Sequence, residues 1–399
     1  MSWDKVKLAD CCLSISDGDH QPPPKAVSGV PFVTIANINK SNQFDFSDTM
    51  FVPKDYYDRL DSKRKAQVGD ILYSVVGSFG IPVLIKEERP FVFQRHIAIL
   101  RPNERINSAF LYYTMLSRDF YAKADAAAIG AAQRTVSLTS LRGMEIELPP
   151  LKVQETIASK LSVYDNLIEN NQKQIKLLEE AARRLYKEWF VNFRFPGYED
   201  TPIVDGVPEG WEKAPIDSRI SLLSGYAFKS AQFDSSGEYK IVTIKNVKDG
   251  EFDGINTNRI VSIPGKMPKH CVLTDGDILL SLTGNVGRTY IVNGNNYLLN
   301  QRVAKLQSDI PAFTYCLFRS SDMFDAMNNL ANGTAQQNLS PIRTGKISIL
   351  FPADNLLEEF ERIVGSMISK MLSLIKQCDL LIQARDRLLP KLMSGEIEV

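Results

Sequence analysis

Two stretches of the chain place side chains three and four residues apart without a break. The first runs Ile157, Leu161, Tyr164, Ile168, Asn171, Ile175, Leu178, Ala182, Leu185 and Trp189. The second runs Phe360, Val364, Met367, Met371, Leu374, Cys378, Leu381, Arg385, Leu388 and Leu392. Alternating steps of four and three close every seven residues, which is the seam of a coiled coil. Each member of the second series lies 203 residues beyond its counterpart in the first. The pattern predicts two helices far longer than the average of about 11–12 residues. Asn171 and Arg385 interrupt the apolar run, and one polar seam residue fixes register at some cost in stability. An ordinary amphipathic helix packed on its own domain is the competing reading of such a stripe.

Ahead of each seam the pattern changes to short runs of Val, Ile, Phe, Tyr and Thr, punctuated by Gly, Pro, Asn and Asp. That is strand-and-turn composition, with short helices predicted near 107–127 and 311–331. These segments also repeat. "GDILYSVVGSFG" at 69–80 and "GDILLSLTGNVG" at 276–287 share Gly, Asp, Ile, Leu, Ser, Gly and Gly at an offset of 207. "FVTIANI" at 32–38 answers "IVTIKNV" at 241–247, and "FQRHIAIL" at 93–100 answers "NQRVAKL" at 300–306. Holding the 207 offset pairs Gln94 with Gln301 and Arg95 with Arg302, and leaves His96 opposite Val303 with no partner. "AAQRTVS" at 131–137 answers "TAQQNLS" at 334–340, Trp3 answers Trp211 and Pro149 answers Pro352. A repeat of this period governs the fold reading before any local motif does, and its drifting offset marks short loop insertions.

The expected class is α+β: two β-rich α/β domains, each followed by a long helix, with the two helices pairing as an antiparallel coiled coil. The expected boundaries are 1–149 for the first domain, 150–192 for its helix, 193–210 for a linker, 211–352 for the second domain and 353–399 for its helix. The linker has three prolines and four acidic residues against one basic residue, and reads as an exposed connection.

A hydrophobic content of 44% and a charged content of 24% suit a soluble globular chain. No apolar run approaches the ~20 residues of a membrane span, and "MSWDKVKLADCC" lacks a signal-peptide core, so the cytoplasm is the expected compartment. None of Cys11, Cys12, Cys271, Cys316 and Cys378 forms a CxxC pair, and His20, His96 and His270 are scattered. Metal sites need ligands at clustered spacing; no metal is expected, and reduced, mostly buried thiols are. No phosphate-binding GxxxxGK[ST], GxGxxG, HExxH or GxSxG is present, and "QPPP" and "LPP" do not fit the motifs of an adenine methyltransferase. No catalytic residue is nominated.

Charge is balanced, 47 basic against 47 acidic residues, although 211–352 carries 15 against 12. A small local surplus permits nucleic-acid contact without requiring it. What remains is planar, polar chemistry on predicted loops. Gln94, Arg95, Gln133, Arg134, Gln301, Arg302, Gln336, Gln337 and Asn338 are of the types that read base edges in a major groove. Lys25, Lys63, Arg64, Lys65, Lys229 and Arg288 suit phosphates, which position a protein without specifying sequence. Ser78 and Asn285, at matching places in the repeated Gly-Asp segment, and Tyr226 complete the candidate set. Any one of these side chains alone is ordinary solvated surface, and Gln94 and Gln301 also suit a turn cap.

The chain resembles the specificity subunits of type I restriction–modification systems over essentially its whole length. The resemblance rests on "EWFVNFRFPGYE" after the first seam, "GVPEGWE" opening the second unit, "SGYAFKSAQFDSSGEYKIVTIKNVKDGEFD" at 224–253 and "RDRLLPKLMSGEIEV" at the end. The first domain departs more, with "ISDGDHQPPP" where a Gly-Tyr segment like the second domain's would stand. The resemblance implies two target recognition domains, each reading one half of an asymmetric bipartite site in double-stranded DNA through the major groove. It implies that the paired helices act as a ruler and bind two modification (methyltransferase) subunits that methylate adenine, while restriction (translocase/nuclease) subunits join them. A helix of 36 residues rises ~54 Å, about 16 base pairs of duplex at ~3.4 Å each. Side chains expected to serve helix pairing or partner binding are Ile157, Leu161, Ile168, Ile175, Leu178, Leu185, Trp189, Phe190, Phe360, Val364, Met367, Met371, Leu374, Leu381, Leu388 and Leu392, those near the helix ends leaving apolar surface for partners. No cofactor is expected on this chain; S-adenosylmethionine, ATP and Mg are expected on the partner subunits.

Two readings of other classes compete. One is a non-catalytic tandem β-rich adaptor for protein or carbohydrate, which would show no salt-sensitive binding to duplex DNA. The other is a self-contained DNA enzyme with an unfamiliar site, which would transfer methyl groups or cut DNA alone. A narrower variant keeps the family but lacks a nuclease partner, giving modification only.

Overall fold

The strands of each half close on themselves before a long helix leaves. In the computed structural model, which describes residues 3–20, 22–39, 41–131, 133–331 and 337–398, strand Asp4–Lys7 pairs antiparallel with Glu145–Leu148 just ahead of the first long helix. Strand Glu212–Pro215 pairs in the same way with Ser348–Phe351 ahead of the second. The chain divides into two compact units, residues 1–170 with 379–399 and residues 171–378.

In the first unit a four-stranded antiparallel sheet runs in the order Cys12–Asp17, Ile97–Pro102, Ile71–Ser74, Pro82–Leu84. A three-stranded sheet runs Met50–Val52, Val30–Val33, Val92–Phe93, its last pair parallel. The second unit has Ser221–Ser224, Val303–Gln307, Ile278–Ser281 and Thr289–Ile291 in one antiparallel sheet. Its other sheet runs Asn258–Ile260, Tyr239–Val242, Tyr297–Leu299, Val272–Leu273, the middle pair parallel. The repeated central strands Ile71–Ser74 and Ile278–Ser281 are buried at every position. Covered on both faces, they read as continuous apolar runs rather than alternating ones. The expected short helices are present as pairs, Ser108–Leu116 with Arg118–Ala127 and Pro311–Phe318 with Ser321–Ala331.

The residues shared by the two Gly-Asp segments hold this framework. Gly69 and Gly276 take φ of 91° and 88°, where a side chain is strained, and their N–H groups donate to Ile85 O and Val292 O at 2.9 and 3.0 Å. Asp70 accepts the Gln67 N–H and pairs with Arg101 at 2.9 Å; Asp277 accepts the Thr274 N–H and pairs with Lys305 at 2.8 Å. Buried Ser74 Oγ and Ser281 Oγ accept the Ile81 and Arg288 N–H groups, each at 2.9 Å. The residues that differ between the segments mostly differ for packing. Tyr73, Leu280, Val75, Leu282, Phe79 and Val286 are all buried, while of the other differing pairs Ser78 and Asn285 are exposed and Val76 and Thr283 are half-buried.

The first long helix spans Leu151–Tyr186 and ends in one wider turn, Lys187–Val191; the second spans Asp354–Met393. They pair antiparallel. In the first unit, Ile157 and Leu161 share a core with Leu389 and Leu392. In the second, Tyr186, Trp189 and Phe190 pack their rings on Phe360. Both polar seam residues find partners. Arg385 Nη1 donates to Asp165 Oδ1 at 2.7 Å, Tyr113 Oη donates to Asp165 Oδ2 at 2.7 Å, and Asn171 Nδ2 donates to Gln377 Oε1 at 3.3 Å. In the second unit Tyr315 Oη and Arg319 both donate to Glu179 on the first helix. Glu361 on the second helix accepts the Ala312 and Phe313 N–H groups at 2.9 and 2.7 Å, and so caps Pro311–Phe318, whose N-cap Ile310 has no acceptor to offer.

Two expectations about these segments change. Trp189, Phe190 and Leu392 are buried and Leu388 half-buried; the exposed large apolar residues of the first helix are Leu151, Val163, Leu167 and Leu177 instead. The linker is mostly exposed but is anchored by buried Phe195 against Trp211 and contains a short hairpin, Ile203–Val204 with Val207–Pro208. Among the described residues no helix is long and apolar enough to cross a membrane, and none of the five cysteines forms a disulfide.

Candidate nucleic-acid interface

Three loops meet on one edge of the first unit. The tight turn after Val92–Phe93 carries Gln94, Arg95 and His96, with the Ile97 N–H donating to Gln94 O at 3.0 Å. It is clamped to the end of Cys12–Asp17 by Asp19 N–H to Phe93 O at 2.9 Å and Arg95 N–H to Asp19 O at 3.0 Å. The clamp needs Gly18, because a Cβ there would fall 2.2 Å from Phe93 O and 2.6 Å from Gln94 O. The second loop is 75–80 of the Gly-Asp segment, joined to the turn by Val75 N–H to His96 O at 2.9 Å. The third is 133–136, whose Val136 N–H bonds Val75 O and whose Arg134 O accepts from Gly77 N–H, both at 2.9 Å. Asp17, Val76, Arg95, His96, Gln133 and Thr135 line the groove between them.

The second unit builds the same edge. Tyr226 N–H donates to Leu299 O at 2.8 Å, Gln301 N–H to Tyr226 O at 3.0 Å, Leu282 N–H to Arg302 O at 3.0 Å and Leu339 N–H to Leu282 O at 2.7 Å. A Cβ on Gly225 would fall 2.3 Å from Asn300 O. These bonds correct the pairing of the repeat. Arg302 O does what His96 O does, Gln301 what Arg95 does, and Asn300 what Gln94 does, so the turns correspond at an offset of 206 and not 207. His96 therefore has a partner, Arg302. The strand that follows confirms it, since Leu100 faces Ile71 as Leu306 faces Ile278. Gly18 and Asp19 likewise stand where Gly225 and Tyr226 do, so "DGDH" is the first unit's version of the "SGYA" segment that had looked absent.

The family model for the type I restriction modification DNA specificity domain matches residues 2–180 and 208–367. The chain belongs to this family. It is 24% identical to the type I restriction enzyme MjaIX specificity subunit of Methanocaldococcus jannaschii, over 83% of this chain and 78% of that one. It is 21% identical to the type I restriction enzyme HindI specificity subunit of Haemophilus influenzae, over 99% of each. Its fold matches the crystal structure of a type I restriction-modification S subunit from M. genitalium with a TM-score of 0.58 at 16% identity, covering 98% and 96% of the two chains.

Within this specificity-subunit framework the candidate residues sort by surroundings. Arg95, Gln133, Arg134 and Ser78 are exposed on the first edge, as Gln301, Arg302, Asn285, Gln337 and Asn338 are on the second. Gln94 is half-buried and held by backbone bonds to the neighbouring strand, and Tyr226 packs its ring on Phe228. Several cations already have partners. Arg134 pairs with Asp125 and lies over Phe79; Arg288 pairs with Asp249 at 3.1 Å; Lys65 donates to Asp58 O. Lys63 and Arg64 sit beside the first edge, with Ser16 Oγ donating to Lys63 O at 2.9 Å and Arg64 3.9 Å from Asp19. Lys25 and Lys229 are exposed, and Gln336 lies outside the described residues. Sequence reasoning missed Asp17, Val76 and Thr135. Their only signal was strand alternation beside the candidates, and none is of a type that announces chemistry.

Proposed function

We propose that this chain is the sequence-reading subunit of a type I restriction–modification complex, with residues 1–149 and 211–352 as two target recognition domains. Each domain reads one half of an asymmetric, bipartite duplex site through the major groove with its three-loop edge. Residues 150–192 and 353–399 set the spacing between the halves and dock two adenine methyltransferase subunits, with 193–210 as the connection. The partners supply S-adenosylmethionine chemistry and, where restriction subunits join, ATP- and Mg-dependent translocation and cleavage. One observation carries the reading. The same edge is built twice on matching backbone bonds, with different residues each time: exposed Ser78 against Asn285, exposed Arg95 against Gln301, and half-buried His96 against exposed Arg302. Arg, Gln, Asn and Ser there supply hydrogen bonds to base edges. A net charge of zero suits a subunit whose partners hold much of the phosphate backbone.

Mapping adenine methylation across the source genome, with this gene intact and deleted, tests it. One motif of two short blocks around an unspecified gap should vanish on deletion. Replacing residues 1–149 by a relative's first domain should change one block only; a change in both would refute modular reading.

A further inference from the structure

We infer that the first unit's edge recognises thymine C5-methyl groups, through an apolar ledge formed by Val76, Thr135 and Ile129. The inference rests on the major-groove reading above and says what the first half-site must contain. Thr135 forms antiparallel bridges with Val76 on one side and Ile129 on the other. Residues directly opposite in antiparallel pairs turn their side chains to the same face, so the three stand in a row. Ile129 N–H donates to Thr135 O at 3.0 Å and Thr135 N–H to Ile129 O at 2.8 Å, which fixes the outer member. Val76 and Thr135 are half-buried, and Ile129 is 70% exposed at the rim.

A single exposed Ile is ordinary surface. Here it extends an apolar row bordering the groove of Arg95, His96, Gln133 and Asp17. His20 Nε2 lies 2.8 Å from Asp17 Oδ2. A carboxylate in the groove repels phosphate, so the groove suits base edges and not the backbone. In the major groove the one apolar group on any base edge is the thymine methyl, contacted by small or branched apolar side chains. All three ledge residues are β-branched and stiff at χ1, so holding them against a methyl costs little conformational freedom. The second unit places Thr283 opposite Asn338 at the same bridge. Its ledge is polar there and suits hydrogen bonds to a base edge instead.

The test uses the chain purified with its modification subunits, after methylation mapping has given the motif and the 1–149 exchange has assigned its halves. Each thymine of both halves is replaced singly by deoxyuridine, which removes only the methyl, and binding is measured by competition. We expect about fourfold weaker binding at one or two thymines of the first half-site, the loss of one buried methyl group, and no change in the second. The Val76→Thr, Ile129→Asn double variant should still bind but no longer distinguish the thymine and deoxyuridine duplexes. Wild-type complex that binds every first-half deoxyuridine duplex at full affinity while methylating its motif overturns the ledge and leaves the proposed function intact. If no motif depends on this gene, the proposed function falls and the ledge with it. Should the double variant fail to assemble, the wild-type substitutions alone decide.

Discussion

The pair Arg385 and Asp165 gives the sharpest energetic test of the helix seam. Both side chains are 12% exposed, with Nη1 and Oδ1 2.7 Å apart. Asp165 also accepts from Tyr113, whose phenol is pushed well above its usual pKa by burial and by the Asp165 carboxylate, so it remains a donor at any working pH. Arg385 holds Asp386 as well, at 2.9 Å. Breaking a fully buried pair by removing one partner costs about 3–5 kcal/mol. Arg385→Leu leaves Asp165 with one hydroxyl donor in place of an ion pair, so about 2–3 kcal/mol is expected after allowing for that donor and the residual exposure. Asp165→Leu leaves Arg385 with half-exposed Asp386 and the buried Tyr113 hydroxyl without its acceptor, and about 3 kcal/mol is expected. The double Leu variant removes both charges and fills the seam, and should lie within about 2 kcal/mol of wild type, the remainder being the Tyr113 hydroxyl left without an acceptor. The double-mutant cycle on urea unfolding of the full chain should then give a coupling near 3 kcal/mol. Additive single losses would show that water, and not the partner, satisfies each charge, and would refute the argument that this seam position is a buried ion pair.

Other expectations follow from the same structure. Glu361→Ala strips the acceptor from two helix-end N–H groups and should cost about 1–3 kcal/mol, while Glu361→Gln, which keeps one acceptor oxygen, should cost less in the same unfolding assay. Gly18→Ala and Gly225→Ala each drive a Cβ to within 2.2–2.3 Å of a backbone carbonyl oxygen; each should lower the melting temperature and abolish methylation of the motif, and a wild-type-like Gly18→Ala would disprove the close approach. Cys12 is half-buried, and burial, the neighbouring Cys11 and Asp70 push its thiol up to about 12. With a raised pKa the thiolate forms only as pH climbs, about one molecule in ten thousand at pH 8. Alkylation of the native chain should therefore spare Cys12 near neutrality and speed up tenfold per pH unit; rapid labelling at pH 8 would contradict it.

The long-period features of this fold were legible because each has a sequence period of its own. The three–four spacing marked both helices, and the 203-residue echo between them exposed the duplication. Strand composition separated the β-rich segments from the helices, and the paired short helices fell where expected. The candidate site was legible in kind but not in register. Between 94–96 and 300–302 the sequence offers two alignments one residue apart, and the run "QR" favours the wrong one. Only the ladder decides, since a one-residue slip would turn each side chain of the following strand to the opposite face. Partner assignments were not legible at all. Nothing in the letters says that Asp70 meets Arg101 while Asp277 meets Lys305, because the compensating cation sits on a different position of the neighbouring strand. Nor does an Ala-rich run betray Ile129, which gains meaning only from its bridge to Thr135.

Those substitutions show how one backbone came to carry two surfaces. The residues the two Gly-Asp segments share are a buried Ile and Leu, glycines at positive φ and short polar side chains that close loops, and each serves its own unit. Where the units differ inside the core they differ in concert: Tyr73 and Phe120 pack edge-on in one, while Leu280 stands in the other beside a core rebuilt around Tyr290 and Tyr315. Where they differ on the loop edge nothing in the core need answer, because Ser78, Arg95 and Gln133, or Asn285, Gln301 and Asn338, project from turns whose hydrogen bonds are made by backbone atoms. A change of base preference can therefore accumulate on the edge at little cost in stability, about ±0.5 kcal/mol per exposed substitution. A change at Gly18 or Gly225 cannot, since it would dismantle the turn that presents the whole edge.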